Sequence, residues 1–135
     1  MGWSLVSGPS VGHWAAKRLN CGYFEDRSQA IGLQKNGGLI AAVIYENWNG
    51  TSVYCHVVFE GRLTTGYLRE VFRYPFIDCG VSKIIAPINS GNEKAQQLVK
   101  NMGFVKEARI TGAVADGDVV FYTLTKQDCR FINHG

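Results

Sequence analysis

Residues 83–104, KIIAPINSGNEKAQQLVKNMGF, contain the pattern that decides the fold. The run 83–88 is β-branched and apolar, which is typical of a buried strand. The residues after the turn carry an apolar stripe at i, i+3, i+4 and i+7, which is typical of an amphipathic helix. This stripe consists of Ala95, Leu98, Val99 and Met102. The segment therefore predicts a strand and a helix joined by a short turn.

Short polar residues mark the start of this helix. Ser90 and Glu93 have the spacing of a capping box, so the helix is predicted to open at Ser90. Gly103 is placed to end it, because glycine adopts the left-handed conformation without strain. Asn92 lies in the first turn, from which its amide can point outward to a ligand.

Strand-like and helix-like patterns alternate along the rest of the chain. Three β-branched or aromatic runs are separated by short Gly-containing breaks, which predicts an antiparallel three-stranded meander. These runs are Gln29–Gln34, Leu39–Tyr45 and Ser52–Phe59. A short helix over Val11–Asn20 precedes them, and two strands, Phe104–Ile110 and Val119–Leu124, close the chain.

Another helix is predicted between Phe59 and Lys83. Thr64 or Thr65 can cap its start, and Pro75 should kink or shorten its end because proline has no backbone N–H to donate. Its apolar stripe consists of Leu68, Val71, Phe72, Phe76 and Cys79.

Together these elements predict an α/β fold with a mixed central sheet. The element order is α-β-β-β-α-β-α-β-β, with helices on both faces of the sheet. Ser52–Phe59 and Lys83–Ile88 should be parallel neighbours, because a helix crosses between them. The length of 135 residues fits one domain over residues 1–135.

The composition describes a chain that buries one core. Hydrophobic residues make up 46% and charged residues 19%, so neither a disulfide nor a structural metal is needed for stability. The cysteines, at positions 21, 55, 79 and 129, match no zinc-binding spacing, so no metal site is predicted. We expect reduced thiols, most of them in the core.

Charge and hydropathy exclude several functional classes. The net charge of +3 includes no basic block, which disfavours nucleic-acid binding. No apolar run reaches the length of a membrane span. The first nine residues lack a basic segment followed by an apolar one, so a cytoplasmic location is predicted.

The turn 60–66, EGRLTTG, is a candidate anion site. Ligands of open α/β sheets bind at the carboxyl ends of parallel strands, where helix N-termini also point. Free N–H groups, the helix dipole and the Arg62 guanidinium would together favour a phosphate or pyrophosphate. An ordinary strand-to-helix turn with threonine caps explains the same residues, because no established phosphate-loop motif is present.

Motifs between Gly61 and Glu107 resemble those of a single superfamily. LREVFRYPF at 68–76, followed by GVSKI at 80–84, is similar to a helix and strand of the ribosomal-protein N-terminal acetyltransferase-like branch. Asn92-x-x-Ala95-x-x-Leu98, ending in Met-Gly-Phe at 102–104, is similar to a helix found throughout the superfamily. On these motifs the chain resembles the GNAT superfamily of acyl-CoA-dependent N-acyltransferases.

The resemblance implies that acetyl-CoA binds where the two middle parallel strands splay apart. The backbone of Val57, Val58 and Phe59 would pair with the pantetheine arm, and a main-chain N–H there would polarise the acyl carbonyl. Asn92 would hydrogen-bond the pantetheine. The pyrophosphate would rest on the turn that contains Arg62, Thr64, Thr65 and Gly66.

The implied activity is transfer of an acetyl group from acetyl-CoA to a primary amine by direct attack, without a covalent enzyme intermediate. His56 and Glu60 are candidate bases, and Tyr122 is a candidate acid for the leaving thiolate. Each of the three also fits an ordinary packing role. The acceptor stays open among a protein N-terminus, a lysine, an aminoacyl-tRNA and a polyamine.

Two departures from the superfamily pattern motivate an alternative. Arg62 and Thr64 stand where the phosphate loop usually has Gly, and Val99 stands where many relatives have a Tyr that protonates the thiolate. The alternative is a catalytically inactive GNAT-fold binding or interaction module. A compact core with a short N-terminal part also leaves room for a homodimer.

Overall fold

The computed structural model describes residues 2–132, which contain seven strands and three α-helices. In chain order they are β1 (Trp3–Ser7), α1 (Pro9–Leu19), β2 (Gln29–Lys35), β3 (Gly38–Glu46), β4 (Ser52–Phe59), α2 (Thr65–Arg73), β5 (Lys83–Asn89), α3 (Glu93–Met102), β6 (Val105–Val114) and β7 (Gly117–Thr125).

All seven strands form one mixed sheet in the order β1-β2-β3-β4-β5-β7-β6. Strands β4 and β5 are parallel, and every other neighbouring pair is antiparallel. This arrangement confirms the predicted α/β fold class, the meander and the parallel central pair. Each meander strand lies within one residue of its predicted bounds.

Strand β1 is absent from the predicted element order, which began with a helix. It is a short edge strand whose residues are mostly exposed, and it pairs with β2 from Trp3↔Lys35 to Ser7↔Ile31. An edge strand with little burial has no need of apolar alternation, so the sequence carried no period-two signal for it.

Helices cover both faces of the sheet, as predicted. Alternate residues of β3 divide between two cores: Ala42 and Ile44 pack with α1, whereas Val43 and Tyr45 belong to the larger core under α2 and α3. The Tyr45 hydroxyl donates to the carbonyl of Val71 at 2.5 Å, which ties β3 to α2 through a buried hydrogen bond.

Helix α2 ends at Arg73, because a single π-helical turn, Tyr74–Asp78, follows with Pro75 inside it. The predicted shortening by proline is confirmed. The predicted placement of Cys79 on the apolar stripe is wrong, since the wider turn shifts the helical phase and leaves Cys79 exposed. All four cysteines are reduced, as predicted. Cys55 and Cys129 are buried and Cys21 and Cys79 are exposed, so half of the cysteines lie in the core and not most of them.

The predicted capping box at Ser90 is also wrong. Helix α3 begins after Asn92, whose Oδ1 accepts a hydrogen bond from the Ala95 N–H at 3.1 Å. The Ser90 hydroxyl instead accepts from the N–H of Asp118, at the start of β7. Asn92 can satisfy the helix's free N–H groups equally well, and the contact with β7 holds Ser90 in the preceding turn. Gly103 ends the helix with φ of 106°, as predicted.

Candidate active site

Strands β4 and β5 separate soon after they begin. Their parallel pairing covers only Ser52–Tyr54 against Lys83–Ile85. Beyond that point β4 stays paired with β3 up to Phe59, and β5 stays paired with β7 up to Asn89. The two strands therefore open into a V-shaped cleft between their carboxyl ends.

The open edge of β4 presents unused backbone groups to this cleft. The N–H of Glu60 donates to the carbonyl of Ile40 on β3 at 2.7 Å. Backbone groups in an antiparallel pair point to the same neighbour at every second residue, so Val58 also faces β3. By the same alternation, the N–H and C=O of Val57 and Phe59 point to the open side.

A cavity of about 160 Å³ occupies the cleft. The N-terminal end of α3, with Asn92 and Ala95, forms one wall, and Cys21 from the loop after α1 also lines the cavity. The full lining consists of Leu19, Cys21, Cys55, His56, Val57, Ala86, Pro87, Ile88, Asn89, Asn92, Ala95 and Val99. Of the predicted site residues, the cleft thus brings His56, Val57 and Asn92 together.

His56 is held by a carboxylate that the sequence reasoning missed. Its Nε2 lies 2.8 Å from Oε2 of Glu46 on β3, and the two side chains are only 21% and 24% exposed. The register that pairs Ile44 with His56 puts Glu46 on the same face of the sheet. The sequence did carry a signal for this contact: Glu46 ends the strand that was predicted to pair with the strand of His56.

Cys21 stands beside this pair. Although the residue is exposed, partial burial of its sulfur raises the pKa of the thiol, and the negative charge of Glu46 raises this pKa further. The thiol is therefore kept protonated near neutral pH, in a place where it lines the cavity together with His56.

The predicted anion turn opens α2. Thr64 is the N-cap, and its Oγ1 accepts from the Tyr67 N–H at 3.1 Å, so its hydroxyl proton stays available to an anion. The N–H groups of Thr65 and Gly66 lack intrahelical acceptors, as in the first turn of any helix. Arg62 is exposed, and no hydrogen bond or ion pair engages its side chain within residues 2–132.

Two further cations flank the carboxyl end of β4. The Nζ of Lys94 on α3 donates to the carbonyl of Phe59 at 3.3 Å and sits 4.5 Å from the centroid of its ring. Arg18 on α1 binds the carboxylate of Glu60, with Nε 2.7 Å from Oε2. Glu60, a predicted base, is therefore engaged by a guanidinium, and Lys94 is a basic residue that the sequence reasoning did not single out.

Tyr122 lies apart from the cleft. It is buried in the core under α3, where its hydroxyl donates to Oε1 of Gln96 at 2.8 Å. It is not among the residues that line the cavity.

The cleft fits a pantetheine arm followed by a diphosphate. Val57 and Phe59 offer a strand edge for an extended amide chain, Asn92 retains its Nδ2 donors, and the α2 turn offers N–H groups and a hydroxyl to an anion. Lys94 Nζ already donates a hydrogen bond to the Phe59 carbonyl, so the pantetheine would have to displace Lys94 from that carbonyl on binding.

No family model matches the chain. The SPbeta prophage-derived uncharacterized N-acetyltransferase YokL of Bacillus subtilis strain 168 is 25% identical over 142 residues, which cover 96% of this chain and 76% of YokL. A solved structure of a probable acetyltransferase matches with a TM-score of 0.66 and 20% identity. That match covers 75% of this chain and 62% of the other, so this chain spans less than two thirds of that protein.

A dodecameric spermidine N-acetyltransferase from Vibrio cholerae matches with a TM-score of 0.74 and 15% identity, over 93% of this chain and 95% of that one. The fold is therefore that of the GNAT N-acetyltransferases. The name of the Bacillus relative supports acetyl transfer as the general activity and does not favour the inactive-module alternative. The narrower resemblance to the ribosomal-protein branch is not confirmed, since the solved neighbours include spermidine N-acetyltransferases.

Within residues 2–132, no helix has both the length and the apolar character that crossing a membrane requires.

Proposed function

We propose that this protein transfers an acetyl group from acetyl-CoA to a primary amine by direct attack. The observation that carries the proposal is the opening between β4 and β5, where pairing stops after Tyr54 and Ile85. A parallel sheet gains hydrogen bonds by continuing, so an edge left open beside a helix N-terminus is a place for a ligand that completes it.

Bound acetyl-CoA would supply the thioester, whose C–S bond breaks as the C–N bond to the amine forms. The N–H of Val57 would polarise the acyl carbonyl, as an oxyanion-type donor fixed in the strand. His56 would take the proton from the attacking amine, directly or through one water, and Glu46 would orient the ring and stabilise its cation. The Cys21 thiol is protonated and lines the same cavity, which makes it a candidate proton donor to the leaving thiolate.

The predicted roles of the other residues are distributed along the cofactor. Val58 and Phe59 belong to the strand that would carry the pantetheine, and Arg62, Thr64, Thr65 and Gly66 would hold the pyrophosphate. Glu60 would keep Arg18 at the cleft mouth rather than act as the base. Tyr122 would serve the proton transfer only if α3 moved, because Gln96 holds its hydroxyl.

The proposal extends to setting and partners. We expect a cytoplasmic protein that uses acetyl-CoA and an amine acceptor, with a homodimer compatible with the oligomeric spermidine enzyme of Vibrio cholerae. Spermidine, from the name of that neighbour, and a protein N-terminus, from the ribosomal-protein branch, are the first two acceptors to examine.

Two measurements on the full chain test the proposal. Saturating acetyl-CoA, at about a hundred times its dissociation constant, should stabilise the fold by roughly 2.7 kcal/mol, a shift of several degrees in Tm. Adenosine 3′,5′-bisphosphate serves as a partial-ligand control. Protein-dependent release of free thiol with an amine panel then tests turnover. Stabilisation without thiol release would point to the binding module. Absence of both stabilisation and thiol release would contradict the proposal.

A further inference from the structure

A second cavity, of about 320 Å³, includes Glu46 of the His56–Glu46 pair in its lining. It is lined by Phe24, Arg27, Ser28, Glu46 and Asn47. Glu46 belongs to this cavity and holds His56, which belongs to the cleft. The pair therefore connects the proposed acyl site to a separate pocket.

The charges of this pocket are unusual for a site that receives amines. Arg27 stacks on the ring of Phe24, with its Cζ 4.3 Å from the ring centroid, and within residues 2–132 its guanidinium has no acidic partner or hydrogen bond. Stacking fixes the plane of the guanidinium while leaving its N–H donors free to bind an oxyanion in a fork. Asp26, next along the same loop, does not line the pocket.

The one acid that lines the pocket is already engaged, because Glu46 is bound to His56. Glu25, next to Phe24 in the same loop, is bound to His13, and Asp26 lies outside the lining. A polyamine carries several positive charges and needs several carboxylates that are free to receive them. This wall offers one shared carboxylate and one unpaired guanidinium.

From this arrangement we infer that the acceptor is a small amine that itself carries an anionic group, a carboxylate or a phosphate, a few bonds from the nitrogen. The amine lies at Glu46 and His56, and the anion is bound by Arg27. The inference rests on the proposed function and names the substrate class of the same site. It separates this chain from the spermidine enzyme that shares its fold.

The experiment compares matched acceptors in thiol release at fixed acetyl-CoA. Alanine is paired with alanine methyl ester, glucosamine 6-phosphate with glucosamine, and spermidine is the polycation. The expected result is a kcat/KM at least about tenfold higher for the anionic member of one pair, the value of one charge-assisted hydrogen bond. The pair that shows the preference identifies carboxylate or phosphate as the anion.

Arg27→Met should abolish that preference, while Arg69→Met, an exposed arginine of α2 outside both cavities, should retain it. Calorimetric titration of each acceptor into CoA-saturated protein gives the same comparison without turnover. Equal use of both members of each pair, a preference for spermidine, or failure of both anionic amines to bind would overturn the inference while thiol release still upheld the proposed function. Absence of both thiol release and stabilisation by acetyl-CoA would overturn the proposed function and this inference together.

Discussion

At the scale of single residues, the pairing of His56 with Glu46 is the most specific feature of the cleft. The two side chains come from neighbouring strands and meet at 2.8 Å, mostly shielded from solvent. Shielding matters because an exposed ion pair is screened by water and salt, whereas a partly buried one holds its geometry. The same Nε2–Oε2 distance of 2.8 Å joins His13 to Glu25 on the exposed surface.

We predict that His56→Gln and Glu46→Gln each lower kcat/KM by roughly a hundredfold or more, the usual value of a positioned general base. The Tm should change little, because both substitutions preserve side-chain volume. His13→Gln is the matched control, since it breaks a pair of equal length outside the cleft, and it should keep its rate within about threefold of wild type. Rates of His56→Gln equal to those of His13→Gln would exclude His56 as the base.

At the scale of secondary-structure elements, the start of α2 decides where an anion can bind. A Cβ built at Gly66 meets no heavy atom within 4 Å, and Gly66 needs no left-handed backbone. Packing therefore gives no reason for a glycine in this turn, whereas close approach of a phosphate would.

Gly66→Ala should consequently have two opposite effects. The free protein should gain up to about 1 kcal/mol, because alanine favours the helix over glycine. The stabilisation by acetyl-CoA should shrink, because the added methyl group would stand between the diphosphate and the N–H groups of the turn. Thermal unfolding with and without ligand measures both. Gly38→Ala, at the start of β3, is the control and should keep the full ligand shift. An unchanged ligand shift in Gly66→Ala would contradict binding of the diphosphate at this turn.

The hairpin of β6 and β7 is a second element with a testable property. The N–H of Gly112 donates to the Asp118 carboxylate at 2.9 Å, and Arg109 binds it at 2.6 Å. The Gly112 hydrogen bond first, and Arg109 second, lower the pKa of Asp118 below its ordinary value. A carboxylate whose pKa is lower in the folded state stabilises the fold above its ordinary pKa, and this contribution is lost as the pH falls through the folded value.

The urea midpoint should therefore fall as the pH is lowered from about 5 towards 3, and Asp118→Asn should make that fall less steep. Part of the slope should persist, because the hydrogen bond from Thr123 and the contact with Lys83 also lower the pKa of Glu107. Asp116→Asn, in the same hairpin turn and without a hydrogen bond among residues 2–132, is the control. Equal slopes for Asp118→Asn and wild type would contradict the assignment.

At the scale of the whole molecule, the sheet consists of two parts with a short seam. Strands β1 to β4 form one continuous set, and β5, β7 and β6 form the other. Among residues 2–132, strand pairing joins the two parts only where Ser52–Tyr54 meets Lys83–Ile85. The cleft is the rest of that seam, and its walls come from both parts.

The alkylation rates of the four cysteine thiols test ligand binding in this cleft in the wild-type protein. Cys55 and Cys129 are buried, and burial raises the pKa of Cys55 to about 12, so neither should react with iodoacetamide in the folded protein. Cys21 and Cys79 are exposed, but only Cys21 lines the cleft. Saturating acetyl-CoA should slow alkylation of Cys21 and leave Cys79 unchanged, as read by peptide mass spectrometry. Equal alkylation rates of Cys21 with and without acetyl-CoA would contradict binding of acetyl-CoA in the cleft.

Much of the fold could be predicted because its segments carry local signals. The meander strands alternate or run apolar between glycine breaks, and Gly103 and Pro75 end their helices through backbone chemistry that acts within a few residues. Strand β1 and the cap of α3 could not be predicted in this way. The first depends on a strand whose paired residues lie 24 to 32 positions away along the chain, and the second on a contact between Ser90 and β7.

The sequence by itself determined the order of β2 to β7, the parallel central pair and the polar turns at its carboxyl end, because periodicity and turn chemistry are local properties of the chain. Only the tertiary structure decided where β4 and β5 separate, that Glu46 meets His56, and that Lys94 reaches Phe59. These facts depend on strand register and on how far the sheet stays paired. Both are set by packing between segments distant along the chain, for which a single sequence carries no local signal.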